Sequence, residues 1–301
     1  MRAVLQTKQT LTVQEIDRPT PGENEVLVRV HAATVTRGDV IMRNMPRIAY
    51  LPLSLFGMRY KPTPGHEFAG VVEAVGQAVT RFKVGDAVLG TTTGLRAGAN
   101  AEYVVVPESW KSGVIVHKPA ALAFEDAAAL PIGGMTAHFL LDKANIQPGE
   151  CMLVYGASGS VGSYAVQLAK HMGAVVTAVY STRNVNLVRS LGADDIIDYK
   201  TEDFAARGDT YDVIVDAVGK TTRAQRAQSL AADGRVVSVR SVTKENAAAL
   251  TQLADLAAAG TIRPVIDRCY ALDQINEAYE HVVAGRKVGN VVVQVVDSEG
   301  I

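Results

Sequence analysis

The feature that most constrains the fold is a run of small residues, Gly156 to Gly162, between two apolar segments. The segment before it, CMLVY, is typical of a buried strand, and the segment after it repeats apolar residues at helical spacing from Val161 to Met172. The run contains the A/G-x-G-x-x-G pattern, in which Gly159 would let the backbone approach a pyrophosphate and Gly162 would let the helix pack on the strand. Because a second apolar strand follows, the pattern predicts a dinucleotide-binding unit rather than a purely structural turn.

Strands and helices continue to alternate after this unit. The apolar segments CMLVYG, AVVTAVY, DDIIDY, YDVIVDAVG and GRVVSV are separated by helical ones, which is typical of a parallel sheet covered on both faces. Residues 1 to about 118 instead contain short β segments separated by glycines, which predict a β-barrel or sandwich. A chain of 301 residues is long for one core, so we expect two domains in an α/β protein.

Charge and cysteine usage exclude several classes of protein. The net charge of -1 does not indicate attraction to nucleic acid or to an anionic membrane. No apolar run approaches the ~20 residues that cross a bilayer, and the first segment, MRAVLQTKQTLTVQEI, is not a signal peptide. Cys151 and Cys269 are far apart and form no C-x-x-C pair, which suits a reducing cytoplasm. We therefore expect a cytoplasmic protein with no nucleic-acid or membrane partner.

The end of the second strand indicates which dinucleotide is bound. NAD-preferring folds have an acidic residue about 20 positions after the glycines, where it accepts hydrogen bonds from the ribose. Here no Asp or Glu lies between Gly173 and Ala193, and the chain reads Ser-Thr-Arg from Ser181 to Arg183. Arg183 can pair with a ribose 2′-phosphate and Ser181 can donate a hydrogen bond to it, which predicts NADPH. The alternative is that Arg183 is a solvated loop charge.

Several segments, in order over nearly the whole chain, carry a resemblance to a known family. They are PTPGHEFAGVVEAVGQAVTRFKVGDAVLG, AEYVVVPE, AFEDAAALPIGGMTAHFLL, PGECMLVYGASGSVGSYAVQLAKHMGAVVTAV, YDVIVDAVG and RPVIDRCYALDQINEAYEHVVAGRKVGNVVV. Together they resemble the medium-chain dehydrogenase/reductase superfamily, in particular its zinc-free quinone oxidoreductase (zeta-crystallin-like) branch. The resemblance implies a GroES-like β-barrel domain, residues 1–120 and 262–301, and a Rossmann domain with a parallel sheet, residues 121–261.

The resemblance also implies which residues contact the cofactor and how the chain assembles. The matching positions are Thr136 near the nicotinamide-side phosphates, Gly159, Ser160, Val161 and Gly162 at the pyrophosphate, Ser181 and Arg183 at the 2′-phosphate, Tyr199 near the adenosine, and Val218 and Gly219 beside the cofactor. The family commonly dimerises through a sheet edge, which implies a homodimer. This chain is shorter than its relatives after Val239, and VRSVTKEN is the segment that could supply the edge strand.

The segment PGHE is shared with zinc-dependent relatives, which place a cysteine three residues before an Asp. Here Thr36 precedes Asp39, and a catalytic zinc generally needs three protein ligands. Threonine is a poor zinc ligand, so we expect no metal site, with His66 hydrogen-bonded and Glu67 a paired structural carboxylate. A weak site formed by His66, Glu67 and Asp39 stays open as the alternative.

These observations predict a reductase that transfers hydride from NADPH to a small quinone or α,β-unsaturated carbonyl without zinc. A conjugated acceptor is favoured because its negative charge is delocalised, so that a hydrogen-bond donor suffices. Thr36 lies where many relatives have Asn and is the candidate donor, while Tyr50 and Tyr60 lie in a mixed aromatic and basic segment that is expected to line the substrate mouth. Two alternatives remain: a zinc-assisted alcohol or aldehyde dehydrogenase, and an NADPH-binding protein without turnover.

Overall fold

The structure, a computed structural model, describes residues 1–7, 10–44, 62–93 and 98–296. The chain divides into two compact units. Unit 1 comprises Met1–Pro131, Glu245–Ala258 and Ile266–Ile301, and unit 2 comprises Ile132–Lys244 and Ala259–Val265.

The chain passes twice from unit 1 into unit 2 and back. The strands are β1 (Arg2–Gln6), β2 (Leu11–Glu15), β3 (Glu25–Thr34), β4 (Glu67–Val75), β5 (Ala87–Thr91), β6 (Tyr103–Pro107), β7 (Ile115–His117), β8 (Cys151–Tyr155), β9 (Val175–Tyr180), β10 (Asp195–Asp198), β11 (Tyr211–Asp216), β12 (Leu230–Ser238), β13 (Ile266–Ala271) and β14 (Asn290–Gln294). The α-helices of the described residues are α1 (Arg37–Asn44), α2 (Phe124–Ala129), α3 (Pro131–Ala144), α4 (Ser160–His171), α5 (Val185–Ser190), α6 (Arg223–Ser229), α7 (Ala247–Ala258) and α8 (Ile275–Val283).

Unit 1 is built on a mixed sheet with the strand order β13-β14-β3-β4-β5-β7, in which β6 also pairs with β3. Strand β3 has 10 residues, enough to pair with β4 along one edge and with both β6 and β14 along the other. All pairs of this sheet are antiparallel except β13 with β14, which are parallel. The core between its strands is apolar and includes the fully buried Val28, Phe68 and Val88.

Two helices belong to unit 1 although the sequence-based boundaries place them in the Rossmann domain. Helix α2 packs on β3, β4 and β14, and α7 packs on β7, so their apolar faces are covered by the mixed sheet. Periodicity shows that a segment is helical but not which sheet covers its apolar face. Residues 262–265, which we expected in the β-barrel domain, belong to unit 2.

Unit 2 contains a five-stranded parallel sheet with the order β10-β9-β8-β11-β12, and all five strands that the sequence predicts are confirmed. The chain runs from β8 outward through β9 to β10 and then returns to the other side of β8 with β11. The strand order therefore reverses between β8 and β11, and in open parallel sheets ligands bind outside the carboxyl ends of the strands at such a point. Helix α4, which follows β8, is buried at every residue from Gly162 to Ala169.

The short segment after β12 contains no strand. Residues 239–246 form turns and coil, so the strand that we expected from VRSVTKEN is absent from this described segment. Its last residue, Asn246, instead caps α7: the side-chain Oδ1 accepts from the backbone N–H of Ala248 at 2.8 Å. In the part of the chain that the structure describes, no helix has the length and apolar character needed to span a membrane.

Candidate cofactor site and a buried histidine–aspartate pair

The glycine turn between β8 and α4 has two glycines that serve different purposes. A Cβ on Gly162 would lie 2.1 Å from the carbonyl oxygen of Gly156 and 2.8 Å from the Cα of Ala157, so the helix can approach the turn only without a side chain there. Gly159 has an ordinary φ of -79°, and a Cβ on it would come no closer to another atom than 3.5 Å. A methyl group on Gly159 would therefore make only ordinary van der Waals contact with the protein. The start of α4 beside it is where dinucleotide-binding folds hold a pyrophosphate.

Side-chain hydrogen bonds hold the segment after β9 at the two residues that flank Arg183. The Asn184 side chain donates from Nδ2 to the Oγ of Ser158 at 2.9 Å, and the Thr182 hydroxyl donates to the Asp198 carboxylate. Arg183 itself is exposed, and no hydrogen bond or ion pair to a described residue engages its guanidinium. Ser181 precedes these residues and is half-buried. This arrangement leaves one unpaired cation at the carboxyl end of β9.

Asp198 is a residue that the sequence analysis missed. It ends β10, beside the end of β9, and its carboxylate also accepts from the backbone N–H of Lys200 at 3.0 Å. The hydrogen bond from Thr182 is the main reason why the pKa of Asp198 is lowered. The next residue, Tyr199, is 52% exposed and its backbone N–H donates to the carbonyl of Tyr180 at 3.1 Å. Asp198, at the end of β10, thus contributes a carboxylate to the segment that follows β9.

A buried carboxylate organises the loop after β11. Asp216 is 1% exposed and accepts from the backbone N–H groups of Val218, Gly219, Lys220 and Thr221 and from the Thr221 hydroxyl. Burial alone would raise the pKa of Asp216, but these hydrogen bonds outweigh it and the pKa is lowered. This role could not be predicted from the sequence, because an Asp at a strand end is common.

The ordered loop places Val218 against the glycine turn. A Cβ on Gly156, whose φ is +88°, would lie 2.2 Å from the Cγ2 of Val218. Gly219 has a φ of +76°, and its carbonyl accepts from the Arg240 side chain through Nη2 at 2.5 Å. Val218 and Gly219 are therefore held beside the glycine turn, and their contact with the cofactor stays a prediction.

Thr136 lies on α3 and not at a strand end. It is half-buried, and the Thr243 hydroxyl donates to its Oγ1 at 3.5 Å. Three residues earlier on the same helix, a Cβ on Gly133 would lie 2.2 Å from the Oγ of Ser160, so this part of α3 packs against the start of α4. All predicted cofactor residues thus belong to unit 2, and all except Thr136 follow directly on a strand or open α4.

Unit 1 contains a histidine–aspartate pair. Asp39, on α1, has a fully buried side chain, and its Oδ1 accepts from the Nδ1 of His66 at 2.5 Å. Burial alone would lower the pKa of His66, but the Asp39 carboxylate outweighs it and the pKa is raised. The His66 side chain remains 18% exposed, and its Nε2 has no hydrogen-bond partner among the described residues. The pair resembles the carboxylate-oriented imidazoles that hold or donate a proton in enzyme sites.

Thr36, the predicted donor, is the N-cap of α1. Its hydroxyl donates to the Oδ2 of Asp39 at 2.6 Å and accepts from the Asp39 backbone N–H at 3.1 Å, while the Thr36 backbone N–H donates to the same carboxylate. A hydroxyl can donate one hydrogen bond, and the Thr36 hydroxyl donates it to the Asp39 carboxylate. The assignment of Thr36 as the catalytic donor stays a prediction. Tyr50 and Tyr60, the other predicted catalytic residues, lie outside the described residues.

The remaining acidic groups near this pair have partners of their own. Glu67 is 1% exposed and accepts from the Thr34 hydroxyl at 2.5 Å, so the expected paired carboxylate is confirmed. Glu245 accepts from the Thr91 hydroxyl, and burial raises the pKa of Glu245. Over the described ranges of the chain, no three His, Cys, Asp or Glu side chains are grouped so that they could hold a metal ion.

Comparison with known proteins agrees with this geometry. Residues 22–119 match the family model of the alcohol dehydrogenase GroES-like domain, and residues 160–271 match that of the zinc-binding dehydrogenase. The chain is 31% identical to the chloroplastic quinone-oxidoreductase QR1 of Triphysaria versicolor, over 93% of this chain and 92% of that protein. It is 32% identical to the chloroplastic NADPH-dependent alkenal/one oxidoreductase of Arabidopsis thaliana, over 96% of this chain and 76% of that protein.

A solved structure is similar over almost the same length. The quinone oxidoreductase from Coxiella burnetii has a TM-score of 0.86 and 26% identity, and the match covers 98% of this chain and 99% of that one. The predicted combination of a GroES-like domain and a Rossmann-like domain is confirmed by these matches.

Proposed function

The chain belongs to the quinone oxidoreductase branch of the medium-chain dehydrogenase/reductase superfamily, and we propose that it is a reductase of quinones and α,β-unsaturated carbonyls that uses NADPH and no zinc. Relatives named as a quinone-oxidoreductase and as an alkenal/one oxidoreductase support the substrate class. A nicotinamide cofactor is common to the family, and the choice of NADPH is the finer part of the proposal.

The observation that carries the choice of NADPH is the unpaired guanidinium of Arg183 at the end of β9. A planar guanidinium can form two parallel hydrogen bonds with a phosphate, and the half-buried Ser181 can add one more. Among the residues that the structure describes, the acidic group in contact with this segment is Asp198, whose carboxylate already accepts from the Thr182 hydroxyl and from the backbone N–H of Lys200. NADH carries a hydroxyl in place of this phosphate and would leave Arg183 unpaired.

The other predicted cofactor residues support binding of the rest of the NADPH molecule. The turn at Gly159 and the first turn of α4 suit the pyrophosphate, because the backbone at a helix N-terminus favours a bound anion. Val218 and Gly219, fixed by Asp216, would border the cofactor, and Thr136 would approach it from α3. When bound, a reduced nicotinamide supplies the hydride. The protein contributes orientation and the group that receives or gives the proton.

We propose His66 as the proton donor in place of a metal ion. Addition of a hydride to the β-carbon of an enone moves the carbon–carbon π pair toward the carbonyl and leaves an enolate. His66, protonated and held at Nδ1 by Asp39, would give its Nε2 proton to that enolate, and water would return a proton to the neutral imidazole. The same N–H would stabilise the oxyanion that forms during quinone reduction.

Steady-state oxidation of NADPH tests this function. The purified protein would be assayed with a panel of quinones and enones, with NADPH or NADH, and with or without a zinc chelator. We expect turnover with NADPH that the chelator leaves unchanged, and a strong preference over NADH that the Arg183→Ala variant loses. Equal use of NADH by the parent protein, or activity that depends on added zinc, contradicts the proposal. NADPH binding without oxidation by any acceptor would instead indicate a non-catalytic binding protein.

Two further proposals concern the setting in which the enzyme works. The resemblance and the two distant cysteines support a cytoplasmic protein. A homodimer is supported by the position of β12, which ends the parallel sheet and pairs on one side only with β11. Light scattering coupled to size-exclusion chromatography would measure the mass, and a monomer at micromolar concentration would contradict the dimer.

A further inference from the structure

We propose that Thr182 and Asn184 hold the backbone of Arg183 in the position that binds the 2′-phosphate, and that Asn184 also links this phosphate site to the pyrophosphate turn. The inference rests on the proposed function, because it concerns the phosphate that distinguishes NADPH from NADH. Thr182 and Asn184 are positioning residues in this proposal: they need not contact the phosphate themselves.

The side-chain hydrogen bonds of Thr182 and Asn184 reach residues that follow or end different strands. The Thr182 hydroxyl donates to Asp198 at the end of β10, whereas the Asn184 amide donates to the Ser158 hydroxyl at 2.9 Å in the turn after β8. A backbone hydrogen bond from the N–H of Asn184 to the carbonyl of Ser181, at 2.8 Å, closes the segment. The residues on both sides of Arg183 are thus directed back toward the sheet, and the exposed Arg183 lies between them. An anchored backbone reduces the conformational entropy that Arg183 loses on binding.

The hydrogen bond from the Asn184 amide reaches Ser158, in the turn where the pyrophosphate would bind. Ser158 immediately precedes Gly159, the residue at which the pyrophosphate would lie in the proposed function. Loss of the Asn184 amide therefore removes a hydrogen bond to the glycine turn as well as one that holds the Arg183 segment. Loss of the Thr182 hydroxyl releases only the Arg183 segment. The two residues consequently differ in which part of the cofactor they affect.

Asp198 combines two opposite effects on the same phosphate. Its carboxylate accepts from the Thr182 hydroxyl, which supports the segment, but its negative charge repels a phosphate bound nearby. The exposed side chains of Arg183 and Lys200 supply the opposite charge at this edge. Asp198→Asn keeps an oxygen that accepts from Thr182 and removes the charge, whereas Asp198→Ala removes both. We expect the Asn variant to bind a 2′-phosphate at least as tightly as the parent and the Ala variant to bind it more weakly.

Calorimetric binding to the full-length protein tests the proposal without any turnover. The probes are adenosine 2′,5′-bisphosphate, which carries the 2′-phosphate, and 5′-AMP, which lacks it. We expect Arg183→Ala to weaken bisphosphate binding by about tenfold or more, and Thr182→Val to weaken it by about two- to tenfold, with AMP unchanged in both. Asn184→Ala should weaken both probes. Arg189→Ala, an exposed arginine on α5, is the matched control and should change neither.

The outcomes separate this proposal from the one on which it rests. If Arg183→Ala binds the bisphosphate as tightly as the parent, the NADPH assignment itself is overturned. If Arg183→Ala loses affinity while Thr182→Val and Asn184→Ala do not, NADPH stands and the positioning role is overturned. Thr182→Ser, which keeps the hydroxyl, must bind like the parent, and a loss of affinity there also contradicts the role. Thermal melts of each variant confirm that it is folded before its affinity is compared.

Discussion

Gly159 and Gly162 lie three residues apart in the same turn, and replacing each by alanine is expected to affect the stability of the protein differently. At Gly162 the new Cβ would lie 2.1 Å from a carbonyl oxygen and 2.8 Å from a Cα atom, and backbone atoms cannot move aside as a flexible side chain can. At Gly159 the backbone conformation suits alanine, and the nearest atom to the new Cβ is 3.5 Å away. We therefore expect Gly162→Ala to destabilise the protein and Gly159→Ala to leave its stability unchanged.

The size of the Gly162 effect follows from two opposing contributions. Overfilling a packed interior costs about 1–3 kcal/mol, and contact with backbone on two sides favours the upper part of that range. Alanine in a helix gains at most about 1 kcal/mol over glycine, and less in the first turn, where Gly162 lies. The net loss is about 2 kcal/mol, which lowers the melting temperature of a chain of this length by roughly 3 °C. The direction of the change in stability is the strictest test, because helix propensity alone predicts that Gly162→Ala stabilises the protein.

Two measurements on each variant check this interpretation. Thermal melts report stability, and calorimetric titration reports NADPH affinity. Gly159→Ala should melt like the parent yet bind NADPH at least about tenfold more weakly, because its methyl group fills the space for the pyrophosphate. A Gly162→Ala protein that melts at or above the parent temperature refutes the close helix approach. A Gly159→Ala protein with unchanged NADPH affinity refutes the placement of the pyrophosphate.

Three further predictions test other parts of the molecule. Asp216→Ala should lower the free energy of unfolding by about 3 kcal/mol, because buried N–H groups lose their acceptor, and Asp216→Asn by less; urea denaturation measures both. Enone reduction should decline as the pH rises through the raised pKa of His66, and Asp39→Asn should move this decline to lower pH, as a pH–rate profile would show. Tyr279→Phe should preserve or slightly increase the melting temperature, because the buried Tyr279 hydroxyl has no partner among the described residues.

The strands of unit 2 could be predicted from the sequence because each is a short apolar segment between turn or helical segments. Their parallel arrangement followed from the alternation with helices. The environment of α4 could not be predicted in the same way. Apolar spacing from Val161 to Met172 predicts one buried face, whereas the helix is buried at every position from Gly162 to Ala169. Polar residues such as Ser163 and Gln167 are buried with hydrogen bonds inside the fold, which spacing does not reveal.

The cofactor site was predictable where its signal is local in sequence. The glycine pattern and Arg183 lie within one βαβ unit, so spacing alone links them. Asp198 and Asp216 lie on other strands, and they reach the site only because the sheet brings the carboxyl ends of β8, β9, β10 and β11 to one edge. Their importance depends on hydrogen bonds to Thr182 and Thr221 that no sequence spacing specifies.

The Asp39 carboxylate accepts hydrogen bonds both from a residue close to it in the sequence and from a distant one. Thr36 followed three residues later by Asp39 is itself a helix-start pattern, so the cap of α1 was readable in the sequence. The bond from Asp39 to His66 joins residues 27 positions apart and needed the fold. Asp39 serves both, with one carboxylate oxygen on the cap and the other on the imidazole. Thr36, which the sequence analysis predicts as the donor, therefore also supports the carboxylate that holds His66, and its own catalytic role stays a prediction.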